Sequence, residues 1–170
     1  GTSHKFVAHK AAEFCGIDIN DSKIITCHIG NGSSITAIVN GKVVDTSMGL
    51  TPLEGMIMGT RCGSMDPSIV TYIMKKEGLT PDQMESLMNK RSGFLGLSEK
   101  TSDAREMNEL AIAGDHKAKL VYKKLSYDII KLIGSYVAAM NGVDLIVFTG
   151  GIGEHNSRLR RRVCENFTYL

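Results

Sequence analysis

The segment His28-Ile29-Gly30-Asn31-Gly32-Ser33-Ser34 joins backbone freedom to hydroxyl groups at a chain reversal. It lies between two runs that read as strands, Lys23–Cys27 and Ile35–Val39. Asn31 and Gly32 both tolerate φ > 0, which a two-residue primed hairpin turn requires. Gly30 before them and the serines after them add a second reading. Successive N–H groups with no bulky side chain above them form a positively polarised nest that suits phosphate oxygens. Plain hairpin and phosphate turn both stand open here. A second cluster, Thr149-Gly150-Gly151-Ile152-Gly153-Glu154, follows an apolar run and precedes a helical one. Beyond the carboxyl end of a strand, the next helix offers free N–H groups and a positive dipole end to a phosphate. No Gly-Lys-Ser/Thr follows, so the cluster is not a P-loop, and its GGxG spacing is not a dinucleotide fingerprint. A tight turn is its competing reading. Together, two such bends in one domain could hold one nucleotide between them.

Arg61 sits between Gly59-Thr60 and Cys62-Gly63, small neighbours that leave a guanidinium free to reach a ligand. Its planar fork suits a carboxylate or phosphoryl group; a surface arginine or structural salt bridge is the alternative. Asp103 reads as a helix cap or as a carboxylate for a ribose hydroxyl, with Arg105 beside it. His4, His9, His28, His116 and His155 show no metal-ligand spacing. His28 ends a strand right beside the first glycine bend, so it is the one histidine that joins the candidate site.

These residues need a scaffold. Phe6, Val7, Ala11 and Phe14 recur at helical spacing over residues 2–15, with Gly16 as a stop. Strands follow at about 23–28, 34–40 and 43–48, the last two joined by a tight Asn40-Gly41 hairpin. Residues 49–65 are rich in Gly and Met without a clear period, and an irregular segment of this length is usually functional or mobile. Asp66-Pro67 and Thr80-Pro81 each read as a cap with Pro at the first helical position. The helices they open run to about Lys76, before Gly78, and to about Asn89. Ser92–Gly96 reads as a loop, and Ser102-Asp103 caps a helix to about Ala113. A long helix runs from about His116 to Met140 with a broad apolar stripe, ending at Asn141-Gly142. Val143–Phe148 is a continuous apolar run, expected to be a parallel strand buried on both faces. The last helix is expected from about Asn156 to Asn166. This order predicts an α/β domain, a mixed sheet with helices packed on it.

The chain has 170 residues, 42% of them hydrophobic, enough for one domain with its own core. A net charge of +2, with acids and bases interspersed, favours neither nucleic acid nor an anionic membrane as partner. The one basic cluster, Arg158–Arg162, reads as a solvated helix face. Four scattered cysteines without CxxC pairing argue against zinc or a disulfide framework. With no signal peptide and no apolar run long enough to span a bilayer, a cytoplasmic setting is the default expectation.

His28–Ser33 (HIGNGS), Asp45–Gly55 (DTSMGLTPLEG), Gly59-Thr60-Arg61, Ser92–Gly96 and Phe148–Glu154 (FTGGIGE) together resemble the acetate kinase family. Gly1-Thr2-Ser3-His4 is similar to the end of that family's HGTSH motif. The resemblance covers nearly the whole chain in order. It implies a ribonuclease-H-like βββαβαβα domain, similar to those of sugar kinases, actin and heat-shock chaperone ATPases. Residues 1–170 would be a single domain, most of the C-terminal, nucleotide-binding domain of a two-domain kinase. The first domain and the extreme C-terminus would lie outside it.

The implied reaction is reversible phosphoryl transfer between ATP and acetate, giving ADP and acetyl phosphate, with Mg²⁺ held mostly by groups outside these residues. By the same resemblance Gly30, Asn31, Gly32 and Ser33 would hold the phosphates, with His28 beside them. Arg61 would be catalytic, and Pro52 would border the pocket for the acyl methyl. Asp103 and Arg105 would lie along the adenosine, and Gly151, Ile152 and Gly153 would cradle the adenine side. The long helix belongs to a region through which family members form homodimers. Two departures stand out: the usual GTRSGD is GTRCGS, with Cys62 and Ser64, and GGIGEN carries His155. A propionate or butyrate kinase of the same superfamily is one alternative. A non-catalytic nucleotide-binding or dimerisation module is the other.

Overall fold

A computed structural model describes residues 1–170. The amino-terminal helix α1 (Thr2–Cys15) stops at Gly16, whose left-handed backbone (φ 67°) returns N–H bonds to the last turn. Three strands follow: β1 (Lys23–Ile29), β2 (Ser33–Val39) and β3 (Lys42–Thr46). Asn40 and Gly41 both take positive φ (50° and 74°), the primed hairpin expected there. The other Asn-Gly pair does not. Neither Asn31 nor Gly32 has positive φ, and the reversal is a three-residue loop, Gly30 to Gly32, between paired Ile29 and Ser33. The Ser33 hydroxyl closes that loop, accepting from Gly30 N–H (3.1 Å) and donating to Gly30 C=O (3.0 Å). This side-chain tie supplies what the primed turn would have supplied through φ.

Helices α2 (Pro67–Glu77) and α3 (Pro81–Lys90) start where their caps place them. Asp66 accepts from Ser68 N–H, and Thr80 forms a reciprocal capping box with Gln83. The expected loop at Ser92–Gly96 is instead a short helix, α4 (Gly93–Ser98). Its first N–H groups, those of Phe94 and Leu95, are taken by the carbonyls of Met58 and Gly59, so tertiary contact overrides poor local propensity. Helix α5 (Ala104–Ile112) is capped by Asp103, and α6 (His116–Met140) by Asp115.

Strand β4 (Leu145–Thr149) pairs parallel with β1, giving sheet order β3-β2-β1-β4. The parallel expectation holds; burial on both faces does not. Every β4 residue is half-buried, because β4 is an edge strand. Ile146 and Phe148 pack towards one core, Leu145 and Val147 towards the other. The last expected helix is present, and a further one, not expected, precedes it. The glycine cluster itself coils into α7 (Gly150–His155), and α8 (Ser157–Cys164) follows from an Asn156 cap. The Arg160 guanidinium separates them by bonding the carbonyls of Gly153 and Glu154, so it is no solvated cation.

The larger core lies between the sheet and α6, where Val121, Leu125, Ile129 and Ile133 meet Ile25, Cys27, Ile29 and Ile35. Leu120, expected in the apolar stripe, is instead exposed. On the opposite face Ala8 and Ala12 of α1 cover Ile24 and Ile38. No helix is long and apolar enough to cross a membrane.

His4, set aside in the sequence for want of ligand spacing, is buried and ties α1 to the sheet. Nδ1 meets the Thr26 hydroxyl and Nε2 the Ser34 hydroxyl, both at 2.7 Å. Burial first, then the neighbouring His28, lowers its pKa from 6.5 to about 4. The unfolded chain therefore binds a proton between these values that the folded one does not. Stability falls as pH is lowered from about 6.5 to about 4. His4→Gln, measured by denaturant unfolding across that window, loses this part of the pH dependence. An identical slope in the variant would assign it to other groups.

Candidate functional site

The parallel register of β1 with β4 sets His28 opposite Thr149. Both glycine bends therefore leave the sheet side by side at the carboxyl ends of neighbouring strands, where open α/β sheets bind ligands. Gly150 makes the close approach possible. Its φ is +81°, and a Cβ there would sit 2.7 Å from the Ile29 carbonyl oxygen.

A cleft of about 650 Å³ opens above this junction. Gly30 and Asn31 form one side, Gly151 and Ile152 of α7 another, and Asp103 and Arg105 at the start of α5 a third. The N–H groups of Asn31 and Gly32 make no hydrogen bond within the chain, so they are available to an anion. Asp103 is first a cap: Oδ1 accepts from the N–H groups of Arg105 (2.7 Å) and Glu106 (3.2 Å). Those bonds, Glu106 foremost, hold its carboxyl below the ordinary range. Arg105 is exposed, its Nε 3.9 Å from Asp103 Oδ1.

Arg61 does not line this cleft but stands beside the first bend. A Cβ on Gly32 would lie 3.2 Å from its Nη1, and Nη1 donates to the Pro52 carbonyl at 3.3 Å. Pro52 is thus its immediate neighbour. The irregular segment that carries Arg61 is gripped from several sides: Met58 N–H to the Arg61 carbonyl, Ser92 N–H to the Thr60 carbonyl, and Cys62 N–H to the Met88 carbonyl. The Thr60 hydroxyl adds a bond to the Asn89 carbonyl. Gly59 presses against Asn31, with 2.5 Å from a Cβ there to Oδ1. Such a segment is held, not loose.

The remaining candidates lie behind this front. Ser33 is buried, its hydroxyl closing the bend. Gly153 is buried against Ile29. His28 is half-buried. Its Nδ1 lies 3.1 Å from the Ser3 hydroxyl, and its Nε2 3.8 Å from a Cβ on Gly30. Several lining residues had not been singled out: Asn108, Glu109, Tyr122 and Asn156, with His155 noted only as a departure. The Tyr122 hydroxyl donates to the Ala104 carbonyl (2.9 Å), and burial pushes its pKa up to about 12. The long helix gave no local signal for it. Asn156 did carry one, since an Asn directly after a glycine cluster and before a helical run is a natural cap.

A mixed sheet between helices, with paired glycine bends opening into one cleft, defines an α/β domain of the actin and hexokinase-like class. A Thermus thermophilus ROK hexokinase shares this fold alone, at TM-score 0.53 and 14% identity, covering 94% of this chain and 53% of its own. A much closer likeness comes from the Porphyromonas gingivalis acetate kinase structure, with TM-score 0.97 and 47% identity, covering 99% of this chain and 42% of that one. A Francisella tularensis propionate kinase reaches TM-score 0.91 at 44% identity, covering 97% and 42%. In sequence, the Carboxydothermus hydrogenoformans acetate kinase is 55% identical over the whole chain, which spans 42% of that relative's length. The profile of the Acetokinase family matches residues 1–170, and the chain belongs to that family.

Proposed function

We propose that this chain is the nucleotide-binding domain of a two-domain ATP:acetate phosphotransferase. The observation that carries the reading is the convergence of both glycine bends on one cleft, with the Arg61 guanidinium beside Gly32 of the first bend. In the forward direction an acetate oxygen attacks the terminal phosphorus of ATP. The new O–P bond forms as the bond to the β-phosphate oxygen breaks, and ADP leaves with that electron pair. Such transfer asks a protein mainly for position and for positive charge around the migrating group. Backbone N–H groups of Asn31 and Gly32 hold the phosphates, in a bend fixed by Ser33 and flanked by His28; the Gly30 N–H is spent on the Ser33 hydroxyl, so Gly30 borders the phosphates without donating to them. Arg61 binds the carboxylate or stabilises the moving phosphoryl group. Pro52 borders the acyl methyl. Asp103 and Arg105 lie along the adenosine, and Gly151, Ile152 and Gly153 along the adenine.

Magnesium accompanies ATP in this reading. No three His, Cys, Asp or Glu side chains stand together here as a metal site, so no step is assigned to the ion. The protein is read as a cytoplasmic homodimer meeting through the α6 region, where Leu120 and Tyr127 are exposed.

The test is acetate-dependent ADP formation by the full-length protein, with propionate and butyrate in parallel. Acetate is expected to be the best acceptor. A higher kcat/KM for propionate would favour the second reading, which the likeness to the Francisella enzyme keeps in view. A folded protein that forms ADP with none of the three would leave only a binding module.

The two roles of Asp103 separate by substitution. Asp103→Asn keeps a capping oxygen, whereas Asp103→Ala removes it. ADP affinity, measured by calorimetry, is expected to fall several-fold in both, with thermal stability reduced only in the alanine variant. Unchanged ADP affinity in Asp103→Asn would leave this residue as a cap.

A further inference from the structure

Behind the cleft, between α5, α6 and α8, lies a second cavity of about 270 Å³. Its charge is of one sign. Lys119 and Lys123 of α6 line it together with Arg158 and Arg162 of α8, and no Asp or Glu does. None of these four cations forms an ion pair in the chain. Their neighbours on the same helices are engaged: Lys124 with Asp128, Arg161 with Glu165, and Arg160 with the carbonyls that end α7.

The spacing compounds the repulsion. On each helix the two cations stand four residues apart, where like charges destabilise a helix. Packing α6 against α8 then sets one row against the other. All four cations are exposed, yet both rows border one concavity that also takes in the apolar side chains of Ala111 and Leu159, with the exposed Ile112 at its edge. Guanidinium forks and ammonium groups in such a setting match clustered anionic oxygens. The cavity is too small for a folded partner and suits a compact ligand.

We propose that this pocket binds a compact anion carrying three or four negative charges, of the polyphosphate or polycarboxylate class. It is separate from the cleft, although Asn108, Tyr122 and Asn156 form a wall common to both.

The experiment titrates the full-length protein with inorganic tripolyphosphate and, separately, with citrate, by calorimetry at low and high salt. Binding of either anion is expected, weakening as salt rises. The double variant Lys123→Glu/Arg162→Glu should lose affinity by at least about tenfold, with its melting temperature and basal turnover kept. Lys123→Arg/Arg162→Lys should retain binding. Preference for tripolyphosphate or for citrate identifies the oxyanion the pocket takes. If the charge reversals prevent folding, the neutral pair Lys119→Gln/Arg158→Gln is read the same way. Absence of binding by both anions overturns the proposal, as does unchanged affinity in the folded variants. The readout needs no acetate and no turnover, so it stands or falls apart from the phosphotransfer reading.

Discussion

In the full-length protein, Arg61→Ala lowers acetate-dependent turnover by about 10³-fold or more, with ADP affinity little changed. The size follows from what the reaction asks. Charge on the migrating phosphoryl group is spread over equatorial oxygens, and the chain's contribution is a set of fixed donors around the first glycine bend. Arg61 is the cation nearest the first bend, within reach of a group bound at Gly32. Its Nη1 is held by the Pro52 carbonyl and the Met58 sulfur at 3.6 Å, so the guanidinium is aimed before a ligand arrives. Preorganised charge of this kind is worth more than the same charge on a free side chain. Removing the side chain spares the backbone bonds that shape the segment, so the variant should fold. Arg61→Lys restores the charge but not the planar fork and recovers only part of the rate. Steady-state kinetics with both variants decide the matter: a rate within about tenfold of the parent would return Arg61 to a structural role.

The second large effect lies outside the cleft lining. Gly93→Ala costs more than about 3 kcal/mol of stability, measured by denaturant unfolding. Gly93 has φ +60°, and a Cβ there would meet the Met58 carbonyl oxygen at 2.0 Å and the Arg61 carbonyl oxygen at 2.7 Å. Both are backbone atoms, unable to yield as a flexible side chain would. The substitution must open the grip of α4 on the 58–61 turn, and that turn carries Arg61. Folded Gly93→Ala protein should therefore also lose turnover, in kcat more than in ADP affinity. Gly96→Ala, whose Cβ would meet only the Arg91 carbonyl at 3.0 Å, is the milder control. Parental stability in Gly93→Ala would contradict the packing described here.

The elements bounded by local chemistry were legible in the residues themselves. Gly16 and Gly78 end their helices with left-handed backbone, Asp66, Thr80 and Asp103 begin theirs, and Asn40-Gly41 turns its hairpin. Each depends on hydrogen bonds within a few residues, which sequence spacing encodes. The same near-range logic misjudged Asn31-Gly32, where a serine hydroxyl replaced the primed turn. It missed α4, whose start is bonded to a segment some thirty-five residues earlier. It overestimated the burial of β4, since hydrophobicity reports a run's preference and not its place at a sheet edge.

The candidate site divides the same way. Residue types alone marked the two glycine bends, Arg61 and Asp103 as chemically capable. Only the tertiary structure made them neighbours, through the parallel register of β1 and β4, and only it drew Tyr122 and Asn156 to the same cleft. Nor could spacing reveal that His4 is locked between two hydroxyls, or that four cations from two helices share one cavity. The physical reason is common to all of these. Turns and caps are decided by torsions and bonds a few residues apart, whereas a site is decided by which distant surfaces must pack together to leave water.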